Sequence, residues 1–104
     1  MEREVNFEAV ERLVEMDLAG VGPYKLRACE IARNFGAGGA APRESLLEDY
    51  AKIIFYQTFF LGVIDDKEAE YFRKEFLCDL IGYYGMNPRQ VADEVKPLIE
   101  RLAP

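Results

Sequence analysis

The stretch Ser45–Ile64, SLLEDYAKIIFYQTFFLGVI, decides the fold of this chain. Within it, the run Ile53–Phe60 is rich in β-branched and aromatic residues, the composition of a buried strand. Its length and its opening argue instead for a helix. Ser45 and Glu48 form a capping box, S-x-x-E, in which each side chain serves an orphan backbone donor of the first turn. The helix then runs to about Ile64. Leu46, Leu47, Tyr50, Ile53, Ile54, Phe55, Tyr56, Phe59, Phe60, Leu61 and Val63 cover nearly all its sides, which predicts a central position. The uncharged run Ile53–Ile64 is shorter than the ~20 residues of a membrane span, so a core helix is expected and no membrane contact.

The flanking segments read as helices too. After the central stretch, Asp65 with Glu68 opens a helix over 66–84. Ala69, Phe72, Phe76, Leu80 and Tyr83 form its stripe, and Gly85 ends it. Asn87 and Gln90 make a second box around Pro88, starting a helix over 88–102. Its face is Val91, Val95, Leu98 and Leu102, and Pro97 inside it predicts a kink. Before the central stretch, GAGGAAP at 36–42 has no periodicity. It satisfies G-x-G-x-x-A on paper, but a helical pattern precedes it rather than a strand, so it reads as a Gly/Ala-rich linker. Ahead of it, Pro23 opens a helix over 23–35, with Tyr24, Ala28, Ile31 and Phe35 along one side. The first helix covers 6–19. Asn6 caps it, Phe7, Val10, Val14 and Leu18 share a face, and Gly20 is placed as its C′ residue. The expected architecture is all-α: one domain over 1–104, a compact bundle of about five helices.

Composition narrows the chemistry. The chain has 104 residues, net charge −6, no histidine and two cysteines. Without histidine there is no Ser-His-Asp or Cys-His pair and no His-ligated zinc, and two thiols cannot build a four-thiolate site. A non-enzymatic protein is expected, with no catalytic, cofactor-binding or metal-binding residues. Cys29 and Cys78 lie within apolar helical patterns and read as free, mostly buried thiols of a reducing cytoplasm. The charged N-terminus, MEREVNFE, has no apolar leader, which also points to the cytoplasm.

What remains is contact with a partner. Ten of the thirteen aromatic residues lie between Tyr50 and Tyr84. The third and fourth helices then carry more apolar surface than a small domain covers, and either could pair with a second copy of the chain. Tyr56, Tyr71, Tyr83 and Tyr84 are the expected anchors, since tyrosine joins area to a polar tip. Asp65, Asp66 and Glu68 would steer a basic partner. The expected role is regulatory, inhibitor or adaptor type, against a protein partner such as one that handles nucleic acid.

One local motif points elsewhere. Leu18–Lys25, LAGVGPYK, resembles the hairpin of the helix-hairpin-helix family, and the resemblance covers about residues 13–33. Two positions depart from the family pattern: Glu15 stands where an apolar residue is usual, and Leu26 where a small one is. The resemblance implies sequence-independent binding of a nucleic-acid phosphate at Gly20, Val21, Gly22 and Lys25, with Arg27 beside them. A helix N-terminus is a physically sound anion site. Residues 24–43 sum to +3 while the remainder sums to −9. The acidic total opposes backbone binding, which scales with the phosphates neutralised.

Overall fold

A computed structural model describes residues 5–36, 40–59 and 62–102. The described residues form α1 (Phe7–Gly20), α2 (Pro23–Asn34), α3 (Arg43–Phe59), α4 (Asp66–Cys78), a π-helical turn (Asp79–Tyr83) and α5 (Pro88–Leu102), with no strand among them. The all-α bundle of five helices is therefore the fold.

Three helix starts form as their residues dictate. The Asn6 side chain accepts from the Glu8 and Ala9 amides. Asp65 accepts from the Glu68 amide. Asn87 and Gln90 satisfy each other's backbone N–H groups, both at 2.9 Å, a complete capping box. Ser45 does not behave this way. α3 already begins at Arg43, and the Leu46 amide bonds the Pro42 carbonyl at 3.1 Å, so Ser45 lies inside the first turn. Pro42 sets the entry, and Arg43 grips both Glu94 oxygens at 2.7 and 2.8 Å, tying the start of α3 to α5.

Three further expectations are corrected. α3 stops short of Ile64, because Gly62 turns the chain with φ +87°, a conformation that favours glycine. α3 packs against α4, α5 and the π turn, but it is not covered on nearly all sides. Leu46, Leu47, Tyr50, Ala51, Ile54 and Phe55 are buried, while Glu48, Asp49, Lys52 and Tyr56 face solvent. Gly20 is not a left-handed cap. It belongs to α1, and Val21 leaves the helix extended (φ −84°, ψ 124°), its amide on the Leu18 carbonyl at 3.0 Å. The chain must extend there because Pro23 pushes Gly22 into the extended region as well. Of the 36–42 linker, residues 37–39 lie outside the described residues, as do Phe60 and Leu61 of the central stretch.

The core lies among α1, α3, α4 and α5. Val14, Tyr50, Leu77, Leu80, Val91, Val95 and Ile99 are its largest fully buried members. α4 does not run uniformly to Tyr84. After Cys78 it widens into the π turn, where the Tyr84 amide reaches the Asp79 carbonyl at 2.9 Å. Gly85 then reverses the chain at φ +70°, and the Met86 amide returns to the Leu80 carbonyl at 3.0 Å. α5 continues past Pro97, an exposed position, to Leu102. α2 stands outside this core. It packs chiefly on the π turn, with a smaller contact to α4.

Candidate interaction site

α2 buries none of its residues. Its register explains why. At 100° per residue, Leu26, Cys29 and Arg33 fall on one side, and Tyr24, Ala28, Ile31 and Phe35 on the opposite side. The first side meets the molecule. Leu26 and Cys29 lie against Gly82 of the π turn, Lys25 pairs with Glu75 of α4, and the Cys29 and Cys78 sulfurs are 3.1 Å apart. The second side faces water: Tyr24 is 90% exposed, Phe35 84% and Ile31 42%. The helix thus turns its smaller, more polar side inward and its larger apolar stripe outward. Fully burying one such large side chain is worth about 1.5–3 kcal/mol, so the stripe holds a substantial unused driving force for association.

The seven residues expected to bind a partner do not form one patch. Asp65, Asp66 and Glu68 open α4, while Tyr83 and Tyr84 close its π extension, about 25 Å away at 1.5 Å rise per residue. Asp65 is engaged as the N-cap, and Asp66 accepts from the Gln57 amide group at 3.3 Å. Tyr84 is half-buried, and its hydroxyl donates to the Ala41 carbonyl at 2.7 Å, holding the approach to α3. Tyr83 is half-buried edge-on to Tyr84, with ring centres 5.0 Å apart. Tyr56 on α3 and Tyr71 on α4 are exposed.

The turn that resembles a helix-hairpin-helix joins α1 to α2, but α2 packs on the π turn. Val21 is buried and Gly22 is the N-cap of α2 with no side-chain bond of its own. Lys25 is committed to Glu75, and that hydrogen bond holds its ammonium above its ordinary pKa. Arg27 Nη1 lies 3.2 Å from Glu30. Gly20 is crowded by a different cation: a Cβ there would lie 2.5 Å from Lys74 Cε, and Lys74 itself pairs with Glu70 at 2.8 Å.

A buried polar cluster joins α1, α3 and α4. Asp17 accepts from Arg73 Nε at 2.8 Å, from Arg73 Nη2 at 3.2 Å and from the Tyr50 hydroxyl at 2.7 Å. Arg73 also donates to Gln57. Burial, then the Asp17 charge, pushes the Tyr50 phenol up from its ordinary value. No buried side-chain nitrogen or oxygen among the described residues lacks a partner. One signal for this cluster was in the sequence: Asp17 continues the α1 stripe of Val10 and Val14, an unusual place for a carboxylate.

Compared with family models, curated proteins and solved structures, the chain matches none.

Proposed function

We propose that this protein is a regulatory, inhibitor or adaptor-type module that acts by protein–protein contact, and that the outer stripe of α2 is its contact face. One observation carries the reading: Tyr24 and Phe35 are 90% and 84% exposed on a single helical side that also holds Ala28 and Ile31. Anchors at i, i+4, i+7 and i+11 suit a helix laid into an apolar groove. Tyrosine and phenylalanine at the two ends would supply most of the area, and Ala28 lets the backbone approach closely. The stripe itself carries no charge, so an apolar groove fits it best.

The double variant Tyr24→Ser/Phe35→Ser tests this. Proteins captured from the source cell by the wild type are compared with those captured by the variant, with light scattering on both. The expected result is a partner retained by the wild type, lost by the variant, and displaced by a peptide spanning 22–36. A homodimer dissolved by the variant would make a second copy the partner. Equal capture by both proteins would refute the assignment to α2.

The alternative, weak phosphate binding at 18–27, is supported by the uncapped Gly22 N-terminus of α2 and opposed by the engagement of Lys25 and Arg27. DNA titration at low salt tests it. Binding that falls steeply with salt and vanishes in Lys25→Glu supports the alternative.

A further inference from the structure

We infer that Cys29 and Cys78 are a modification site: a dithiol pair built to close into a reversible disulfide that clips α2 to the body of the protein. This stands apart from the contact face, which lies on the opposite side of α2.

The geometry is specific. The two sulfurs lie 3.1 Å apart across two helices, from positions 49 residues apart in sequence. Closure to a disulfide near 2.05 Å therefore asks for about 1 Å of movement. Cys78 is buried and Cys29 is half-buried, so one sulfur is attackable from solvent and the other waits behind it. The Cys78 thiol donates to the Lys25 carbonyl at 3.7 Å, and the Cys29 thiol donates to Asp79 Oδ1 at 3.7 Å, which holds both side chains between α2 and α4.

A second feature keeps the pair together. A Cβ on Gly82 would fall 2.7 Å from Cys29 Cβ and 3.1 Å from the Leu26 carbonyl oxygen. The second of these is backbone and has no rotamer to give. The missing side chain at Gly82 is thus what lets α2 lie close enough for the sulfurs to meet. The π turn that carries Gly82 begins immediately after Cys78. π turns recur at functional sites because they reposition the residues beside them.

The chemistry balances with a hydroperoxide as oxidant. The Cys29 sulfur attacks hydrogen peroxide and the O–O bond breaks. Cys29 becomes a sulfenic acid, and hydroxide leaves as water with the thiol proton. The Cys78 sulfur then attacks the Cys29 sulfur. The S–S bond forms, the S–O bond breaks, and the departing hydroxide takes the Cys78 proton as a second water. Two thiols are oxidised and one peroxide is reduced. Excess dithiothreitol reverses the step by thiol–disulfide exchange.

The test uses the full chain with hydrogen peroxide at dilute protein concentration. Intact mass, non-reducing peptide mapping and thermal unfolding are read together. The expected product has lost two hydrogens, maps as Cys29 joined to Cys78, and melts on the order of 10 °C higher than the reduced protein. Amide exchange in α2 should slow in the same sample. Cys29→Ser should show neither the closure nor the shift. Gly82→Ala should close more slowly, because α2 is pushed away. Accumulation of sulfinic acid on Cys29 with Cys78 still reduced would overturn the inference, as would disulfide-linked dimers or an unchanged melting temperature after closure. Closure of Gly82→Ala at the wild-type rate would overturn the role given to Gly82.

Discussion

Replacing Asp17 with alanine probes the part of this fold that sequence periodicity conceals most. The carboxylate is buried and receives three hydrogen bonds, two from Arg73 and one from Tyr50. Both donors are buried too. Removing the carboxylate leaves a guanidinium without its counter-charge, and the remaining acceptor, Gln57, is neutral. Breaking one half of a buried ion pair costs about 3–5 kcal/mol. Domains of this size have about 5–15 kcal/mol in total, so Asp17→Ala should lose a large share of its stability. Tyr50→Phe removes a single bond to a charged acceptor and should cost about 1.5–3 kcal/mol. The triple variant Asp17→Leu/Tyr50→Phe/Arg73→Met removes all three charge-linked groups together. It should recover most of the loss, because a well-packed apolar replacement of a buried pair is often neutral or stabilising. Urea unfolding followed by circular dichroism measures all three. The slope should stay constant while the midpoint moves. An Asp17→Ala variant within about 1 kcal/mol of wild type, or a triple variant no better than the single one, would refute the view that the cluster's cost lies in unpaired charge.

The other predictions concern α2 and the pH range. Tyr24→Ser/Phe35→Ser should shift the urea midpoint little, within about 0.5 kcal/mol, because these side chains are solvated in the free protein; a large loss would mean that the stripe is covered. Gly82→Ala should destabilise by about 1–3 kcal/mol through crowding at Cys29 and the Leu26 carbonyl, read as a lower melting temperature. Stability should fall as pH rises above about 9: burial pushes the Cys78 thiol up to about 12, so the unfolded chain releases that proton first, and Tyr50 acts in the same direction. Cys29→Ser and Tyr50→Phe should flatten that alkaline limb unequally, with the larger effect from Tyr50→Phe, which removes its own titrating group.

The legible parts of this structure were local. Asn6, Asp65 and the Asn87–Gln90 box each act within a single turn, and neighbours in the chain suffice to read them. Ser45 shows the limit of such reading: S-x-x-E was present, but Pro42 lies upstream and starts the helix earlier. Contacts between distant residues were not legible. Asp17 meets Arg73 from 56 residues away, and nothing in either helix alone names its partner. The same holds for the two sulfurs.

α2 shows how periodicity can be read correctly and still mislead about burial. Tyr24, Ala28, Ile31 and Phe35 do share one side, and apolar periodicity ordinarily marks the side that faces the core. Here the inward side is held by discrete contacts instead: the Lys25–Glu75 pair, the facing sulfurs, and the gap left by Gly82. Those contacts depend on geometry and need little apolar area. A helix fixed this way leaves Tyr24 and Phe35 in water, where they contribute little to the fold. Such a stripe makes physical sense when something else covers it, which is why the proposed contact face is α2 and not the aromatic-rich helices where composition alone would put it.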